Sequence, residues 1–327
     1  MPKLVFAVAV FSLAACLDPA ADGNLVPLTA DEDPSIPQLS FNGSTFHVET
    51  FGDPSAPVII VLHGGPGQDF RRMLRLREPV NGVRLEDHHF LVFWDQRGTG
   101  LSQRHPASEL TIENYDRDLA WLVDHFSPGR PVVLLGHSWG GMYATRYLSL
   151  HPERVAGAAL LEPGPLTGAI YQELRSQIMH LDFFSEWLND YAWAQPILGP
   201  DGHARADYLF ALGSFGDSQP GLHLATSDRE PFWRLGAAVS TALINSAPDW
   251  DFTRGLDRLA VPVLFEASAD DTVLGIALQQ RQMQFFPHAT LAVIDGAGHD
   301  FQWTRPAETL QPVLAYLGAI GFQAEAR

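Results

Sequence analysis

A series of short, almost wholly apolar runs sets the frame for this chain. Val58 to Leu62, Phe90 to Trp94, Pro131 to Leu135, Val155 to Leu161 and Val263 to Glu266 are each too brief for a buried helix. None alternates apolar with polar residues, as a strand with one wet face would. Continuous runs of this length belong to strands covered on both sides, which is the condition of a parallel sheet. Helical spacing fills the intervals, over Ile112–Phe126, Trp139–Leu150, Leu274–Phe286 and Ala307–Ile320. Thr45 to Glu49 alternates as an opening strand, and Leu291 to Ile294 supplies a last one. The pattern predicts an α/β domain, a mainly parallel sheet with helices on both faces.

Residues 165–258 break this rhythm. They carry helical periodicity and the tryptophans 187, 193, 233 and 250, with no convincing strand run. We read them as an inserted helical cap over the carboxyl edge of the sheet, where open α/β sheets bind their ligands. The core is then split into residues 44–164 and 259–322. For any one tryptophan, packing between cap and core is the plainer role.

At 327 residues the chain is long enough for one large core with an insertion. With 21 Lys+Arg against 38 Asp+Glu, its net charge of −17 and lack of a basic block argue against nucleic acid as a partner. Residues 1–16 read as an export signal: Lys3, then an apolar stretch from Leu4 to Leu13, ending in Ala14-Ala15-Cys16. The stretch is too short to span a bilayer, which takes about 20 apolar residues. Leu13-Ala14-Ala15-Cys16 resembles the bacterial lipobox, which implies acylation of Cys16 and a lipid anchor as the sole link to a membrane. An ordinary signal peptide is the alternative. Cys16 is the only cysteine, so the fold stands without an internal disulfide. Residues 17–43, rich in Asp, Pro and Ala, read as a flexible tether. The expected location is exported: periplasmic, secreted or anchored at the membrane, and Leu17 after the cysteine points to the outer one.

Gly136-His137-Ser138-Trp139-Gly140 matches G-x-S-x-G directly between a buried strand and a helix. That setting places Ser138 on a sharp turn with its hydroxyl above the sheet edge. A serine hydroxyl is a weak nucleophile at neutral pH, so it needs a base, an orienting carboxylate and an oxyanion site. Of the 13 histidines, His299 is the best base, since it follows the last strand in Gly296-Ala297-Gly298-His299-Asp300. His137 adjoins the serine and reads as a packing or turn residue, and His88-His89 as a surface loop without metal-ligand spacing. The neighbouring Asp270 and Asp271 compete for the acid. His63-Gly64-Gly65-Pro66-Gly67 follows another buried strand, and the N–H groups of Gly65 and Trp139 are the candidate oxyanion donors. No G-K-[ST] follows this loop, which argues against phosphate binding.

Three blocks carry a family resemblance: His63-Gly64-Gly65-Pro66-Gly67, then Asp95-Gln96-Arg97-Gly98-Thr99-Gly100-Leu101-Ser102, then Gly136-His137-Ser138-Trp139-Gly140-Gly141. Together they resemble the α/β-hydrolase superfamily, in its prolyl iminopeptidase-like branch, from residue 44 to residue 320. The resemblance implies a triad in the chain order Ser138, Asp271, His299. Spacing usual in related folds selects Asp271, with Asp270 left open. Glu162 is a third candidate, because some such folds take their acid after that earlier strand, although a loop carboxylate capping a turn is its plainer reading. Asp95 and Arg97 are read as mutually paired scaffold. Relatives with an aspartate nucleophile, such as epoxide hydrolases, are disfavoured because serine occupies the attacking position.

The implied reaction is acyl transfer without metal or organic cofactor, on a small-molecule or short-peptide substrate. Cleavage of N-terminal residues is the first reading, a carboxylesterase the second and a catalytically silent, lipid-anchored binding protein the third. The family's cap glutamate for a substrate ammonium has no clear counterpart: Leu235 falls where it is sought, and Glu173, Glu186 and Glu230 are substitutes. Trp187, Trp233 and Glu230 are the candidate substrate contacts. Nothing in the sequence sets the oligomeric state. For the anchor, radiolabelled palmitate fed to an expressing bacterium is expected to enter the protein, and Cys16→Ser to release it to the soluble fraction; a mutant that fractionates unchanged excludes lipidation.

Overall fold

The computed structural model describes residues 27–178, 202–204, 206–207 and 233–323, so Cys16, Glu186, Trp187, Trp193 and Glu230 lie outside the described residues. Its centre is one sheet built from β1 (Gln38–Phe41), β2 (Ser44–Phe51), β3 (Val58–Leu62), β4 (Phe90–Trp94), β5 (Val132–His137), β6 (Val155–Leu161), β7 (Val263–Ser268) and β8 (Ala289–Ile294). The spatial order is β1-β2-β4-β3-β5-β6-β7-β8. β2 pairs antiparallel with both β1 and β4. All pairings from β4 to β8 are parallel.

Every residue of β3, β4 and β5 is buried, as their unbroken apolar runs require. Alternate side chains serve two separate cores. Val58, Ile60 and Leu62 face Leu119, Leu122 and Val123 of α1 (Ile112–Phe126) and Tyr143 and Tyr147 of α2 (Trp139–Leu150). Ile59 and Val61 share the other core with Met73 and Leu76 of a 3-10 helix over Phe70–Arg77. The same core takes Leu310, Val313 and Leu317 from the C-terminal helix Pro306–Ala319. Thr111 caps α1, which is why the helix begins where the spacing predicts. Of residues 165–258, read from sequence as a cap, the described parts are 165–178 with α3 (Gly168–Ile178), 202–204, 206–207 and the stretch from Trp233, which includes α4 (Ala237–Ser246). An isolated antiparallel bridge between Thr167 and Asp251 brings the two ends of the insertion together. Among the described residues no helix is long and apolar enough to cross a membrane.

The tether is shorter than the composition suggests. Ala30 N–H donates to the Leu101 carbonyl at 2.7 Å, and β1 pairs with β2 inside the stretch read as flexible. Phe41 explains it, stacking on Phe46 at 4.1 Å and on Trp121 at 4.0 Å. Asn42 and Gly43 turn the hairpin with φ of 48° and 71°, an Asn-Gly signal for a tight turn that the acidic, Pro-rich surroundings obscured.

The scaffold pairing also differs from expectation. Arg97 does not pair with Asp95; its guanidinium holds Asp118 of α1 in two bonds of 2.7 and 2.9 Å. Asp95 instead faces His47 Nδ1 at 2.7 Å and accepts the backbone N–H groups of Phe70 and Leu101 at 2.9 and 2.8 Å. Burial alone would lower the His47 pKa, but Asp95, with Glu49 behind it, raises it from 6.5 to about 9. A base whose folded pKa exceeds its unfolded one stabilises fully below the unfolded value and loses that contribution as pH rises through the folded one. Stability is therefore expected to fall between pH 6.5 and about 9 by up to about 3 kcal/mol from this pair. Urea unfolding across that range measures it, and Asp95→Asn should flatten the profile while lowering stability overall.

Candidate active site

The position of Ser138, the candidate nucleophile, is built from backbone contacts. A Cβ on Gly140 would lie 2.0 Å from the Leu62 carbonyl oxygen, and one on Gly136 would lie 2.3 Å from the Gly140 oxygen. β3, β5 and α2 thus approach backbone to backbone, and the chain must turn from strand to helix within one residue. That residue is Ser138, with φ 54° and ψ −115°, an uncommon conformation for a residue with a side chain. Its N–H donates to the Leu161 carbonyl at 2.9 Å, tying the turn to β6. The side chain is half-buried, and its hydroxyl makes no hydrogen bond among the described residues.

Trp139 opens α2, so its N–H is one of the first four that have no acceptor within the helix. Gly65 sits at φ +124°, and a Cβ there would meet Gly67 N at 2.4 Å, so only glycine fits. A Cβ on the adjacent Gly64 would lie 3.4 Å from Ser138 Cβ, which places this loop against the nucleophile. One side chain joins the two donor segments. Gln96 accepts from the Trp139 indole at 2.8 Å and donates to the His63 carbonyl at 3.1 Å, while its backbone N–H donates to His63 Nε2 at 3.1 Å. Burial holds the His63 pKa below its ordinary 6.5, so the ring is a neutral structural acceptor.

His299 lies on the loop after β8. Its backbone is fixed by His137, whose Nε2–H donates to the His299 carbonyl at 2.9 Å; the two rings are 4.7 Å apart. Burial and the neighbouring His299 keep His137 neutral, well below its ordinary pKa. His137, read from sequence as a packing or turn residue, thus holds the backbone of the candidate base. His299 Nδ1 donates to Glu162 Oε2 at 2.7 Å and stands 3.7 Å from Asp271 Oδ2. With Nδ1 carrying the proton, Nε2 is free to accept one. Burial pulls the His299 pKa down, but the Glu162 hydrogen bond and charge, with Asp271 and Asp300, bring it above 6.5.

The structure therefore brings Glu162 into hydrogen bond with the imidazole and leaves Asp271 at a longer distance, while Asp270 is exposed. Glu162 sits just past β6 at φ 46°, turned back toward the sheet edge, and its Oε1 accepts both Ser268 N and Oγ at 2.7 and 2.8 Å. Burial pushes the Asp271 carboxyl above its ordinary range; the imidazole opposes this and Glu162 adds to it. Among the described residues these three are the group whose potential ligand atoms converge, within 4.8 Å. The 2.7 Å contact is shorter than the roughly 3.3 Å between two ligands of a tetrahedral zinc, so the arrangement suits proton handling better.

Trp233 packs on Phe70 and His47 with ring centres 4.9 and 5.0 Å away, which is a core contact. Its segment grips the glycine loop. Asp69, buried beside that loop, accepts Trp233 N and Arg234 N at 2.6 and 3.1 Å, and Gly236 N donates to the Gly67 carbonyl at 2.7 Å. Burial and the charge of Asp95 raise the Asp69 pKa to about 7. Arg234 and Arg104 both bind Asp207, at 2.8 and 2.9 Å. Gln96 and Asp69 were not assigned site roles from sequence, and Glu162 stood there only as the third candidate for the acid. Gln96 lies inside one recognised motif and Asp69 two residues past another, and that proximity was the available signal.

The alpha/beta hydrolase fold family model matches residues 57–306, and the chain belongs to that family. Epoxide hydrolase A of Mycobacterium tuberculosis is 28% identical over 84% of this chain and 95% of its own length. A proline iminopeptidase of Lactobacillus helveticus is 31% identical over 80% of this chain and 90% of its own. Among solved structures, a thermophilic esterase from Thermogutta terrifontis superposes with a TM-score of 0.59 at 21% identity, covering 87% of this chain and 97% of that one. The likeness of structure confirms the fold, and the family makes the chain a hydrolytic enzyme.

The glycine contacts make a direct prediction. Gly140→Ala is expected to cost about 1–3 kcal/mol or more, as overpacking against a carbonyl that cannot move away. Gly318→Ala, whose new Cβ meets only the Gln323 side chain at 3.4 Å, should be neutral or stabilising. Denaturant midpoints of the two variants compare them.

Proposed function

We propose that this enzyme is a serine hydrolase that works through a covalent acyl-serine. His299 Nε2 takes the Ser138 proton as Oγ bonds to the substrate carbonyl carbon. The N–H groups of Gly65 and Trp139 receive the developing oxyanion, at about 2.7–4 kcal/mol for each donor. The proton then passes from Nε2 to the leaving group, and water releases the acyl group by the same route in reverse. The observation that carries this reading is the 2.7 Å bond from His299 Nδ1 to a buried carboxylate, which fixes the tautomer with Nε2 as base.

For substrate, the L. helveticus relative supports an aminopeptidase of the proline iminopeptidase kind acting on short peptides. A carboxylesterase is the second reading, and two observations favour it. Leu235, where an ammonium-binding glutamate was sought, is 2% exposed in the core, and Glu173 is spent on an ion pair with Arg281 at the surface. Trp187 and Glu230 stay as proposed substrate contacts. Similarity to Epoxide hydrolase A does not bring epoxide opening with it, since attack through a carboxylate needs an acid where Ser138 stands.

A fluorophosphonate probe is expected to label the wild type and not Ser138→Ala; an unlabelled wild type would mean a silent binding protein. Proline and other amino-acid arylamides against short acyl p-nitrophenyl esters then separate the two readings: arylamide preference rejects the esterase, and ester-only turnover rejects the peptidase. Because the base must be neutral, kcat/KM should rise with pH through a value above 6.5, following the raised His299 pKa. An acid limb below 6.5 contradicts that assignment.

A further inference from the structure

The clustered carboxylates do more than a single orienting acid requires. Nδ1 of His299 has one hydrogen, and Glu162 Oε2 takes it at 2.7 Å. Asp271 nevertheless comes to the same ring from a different strand end. Its Oδ1 is satisfied by Val273 N and Leu274 N at 2.7 and 2.8 Å, which fixes the side chain. Its Oδ2 has no hydrogen-bond partner, is buried, and stands 3.7 Å from Nδ1. A buried carboxylate oxygen with no donor is costly, and native structures rarely keep one without a use. The cation that would suit it is the imidazolium itself, formed only while the serine proton resides on Nε2.

We propose that Glu162 and Asp271 form an acid pair that positions and charges His299: Glu162 holds the Nδ1 proton at rest, and Asp271 faces the imidazolium as a second carboxylate. This rests on the serine-hydrolase reading above. During attack the Oγ–H bond breaks, its proton goes to Nε2 and its electron pair to the new bond at the carbonyl carbon. Nδ1–H remains in place on Glu162. The positive ring then faces two carboxylates at its Nδ1, where before it lay neutral beside like charges that repel. The other titratable groups facing it are Asp300, itself tied to Arg72 at 3.2 Å, and the neutral His137 ring. The two acids share the task, and neither alone is indispensable.

Glu162→Gln, Asp271→Asn and the double variant test this. Each substitution keeps a carbonyl for the backbone donors its carboxylate now serves, and unfolding midpoints check that the fold persists. Each single variant is expected to lose about 10- to 100-fold in kcat, and the double to approach the roughly 10⁴-fold loss of a triad with no functional acid. In a Ser138→Ala background, NMR titration of the His299 ring should show its pKa falling in each single variant and further in the double, since each removes a negative neighbour. The acid limb of kcat/KM should move to lower pH in step. A wild-type titration and kcat in Asp271→Asn overturns the proposal, as does either single variant that matches the double. If the fluorophosphonate fails to label wild type, the serine-hydrolase reading falls separately, and the ring titration still decides whether both carboxylates act on His299.

Discussion

The meeting of β3, β5 and α2 at Gly136 and Gly140 is the constraint on which the site depends. Two positions without side chains let three backbones touch, and the chain is left no ordinary conformation in which to pass from strand to helix. Ser138 absorbs the strain at φ 54°, a cost of order 1–3 kcal/mol that the packed sheet sustains. The same geometry puts Trp139 N–H at the start of a helix and brings the Gly64–Gly65 loop against the serine. Ser138 and the N–H groups proposed as oxyanion donors are therefore placed by one packing event.

From that centre, buried polar bonds carry order outward. Gln96 ties the segment after the nucleophile to the segment before the glycine loop, so the two donor-bearing elements share a single amide as a spacer. Asp95, one residue earlier, binds His47 of β2 and the backbone N–H groups of Phe70 and Leu101. Neutral His137 holds the carbonyl of His299, and Glu162 holds its ring. Each of these groups is buried and partnered, as a low-dielectric site requires if polar residues are to rigidify it.

Much of the fold was legible because parallel strands covered on both faces leave an unbroken apolar run. β3, β4 and β6 begin and end where their runs do, and Thr111 marks the start of α1. The motif around Ser138 was legible for a similar reason, since strand, glycine, serine and helix are consecutive. What stayed hidden was long-range or angular. That Arg97 binds Asp118 and not Asp95 depends on how α1 lies over the sheet, which no local pattern encodes. Which of the three candidate acids meets His299 turns on the positive φ at Glu162, which redirects the chain after β6. β1 was masked by acidic, Pro-rich neighbours although its Asn-Gly turn was in plain view.

The stitching of Trp233, Arg234 and Gly236 onto Asp69 and Gly67 has a consequence for redesign. The stretch from Trp233 to Gly236 is part of the mounting of the glycine loop beside Ser138, so a graft that replaces this stretch would loosen that loop. The sensible splice point lies before Trp233, and the natural module boundary for swapping parts between relatives follows these bonds, not the edge of any helix.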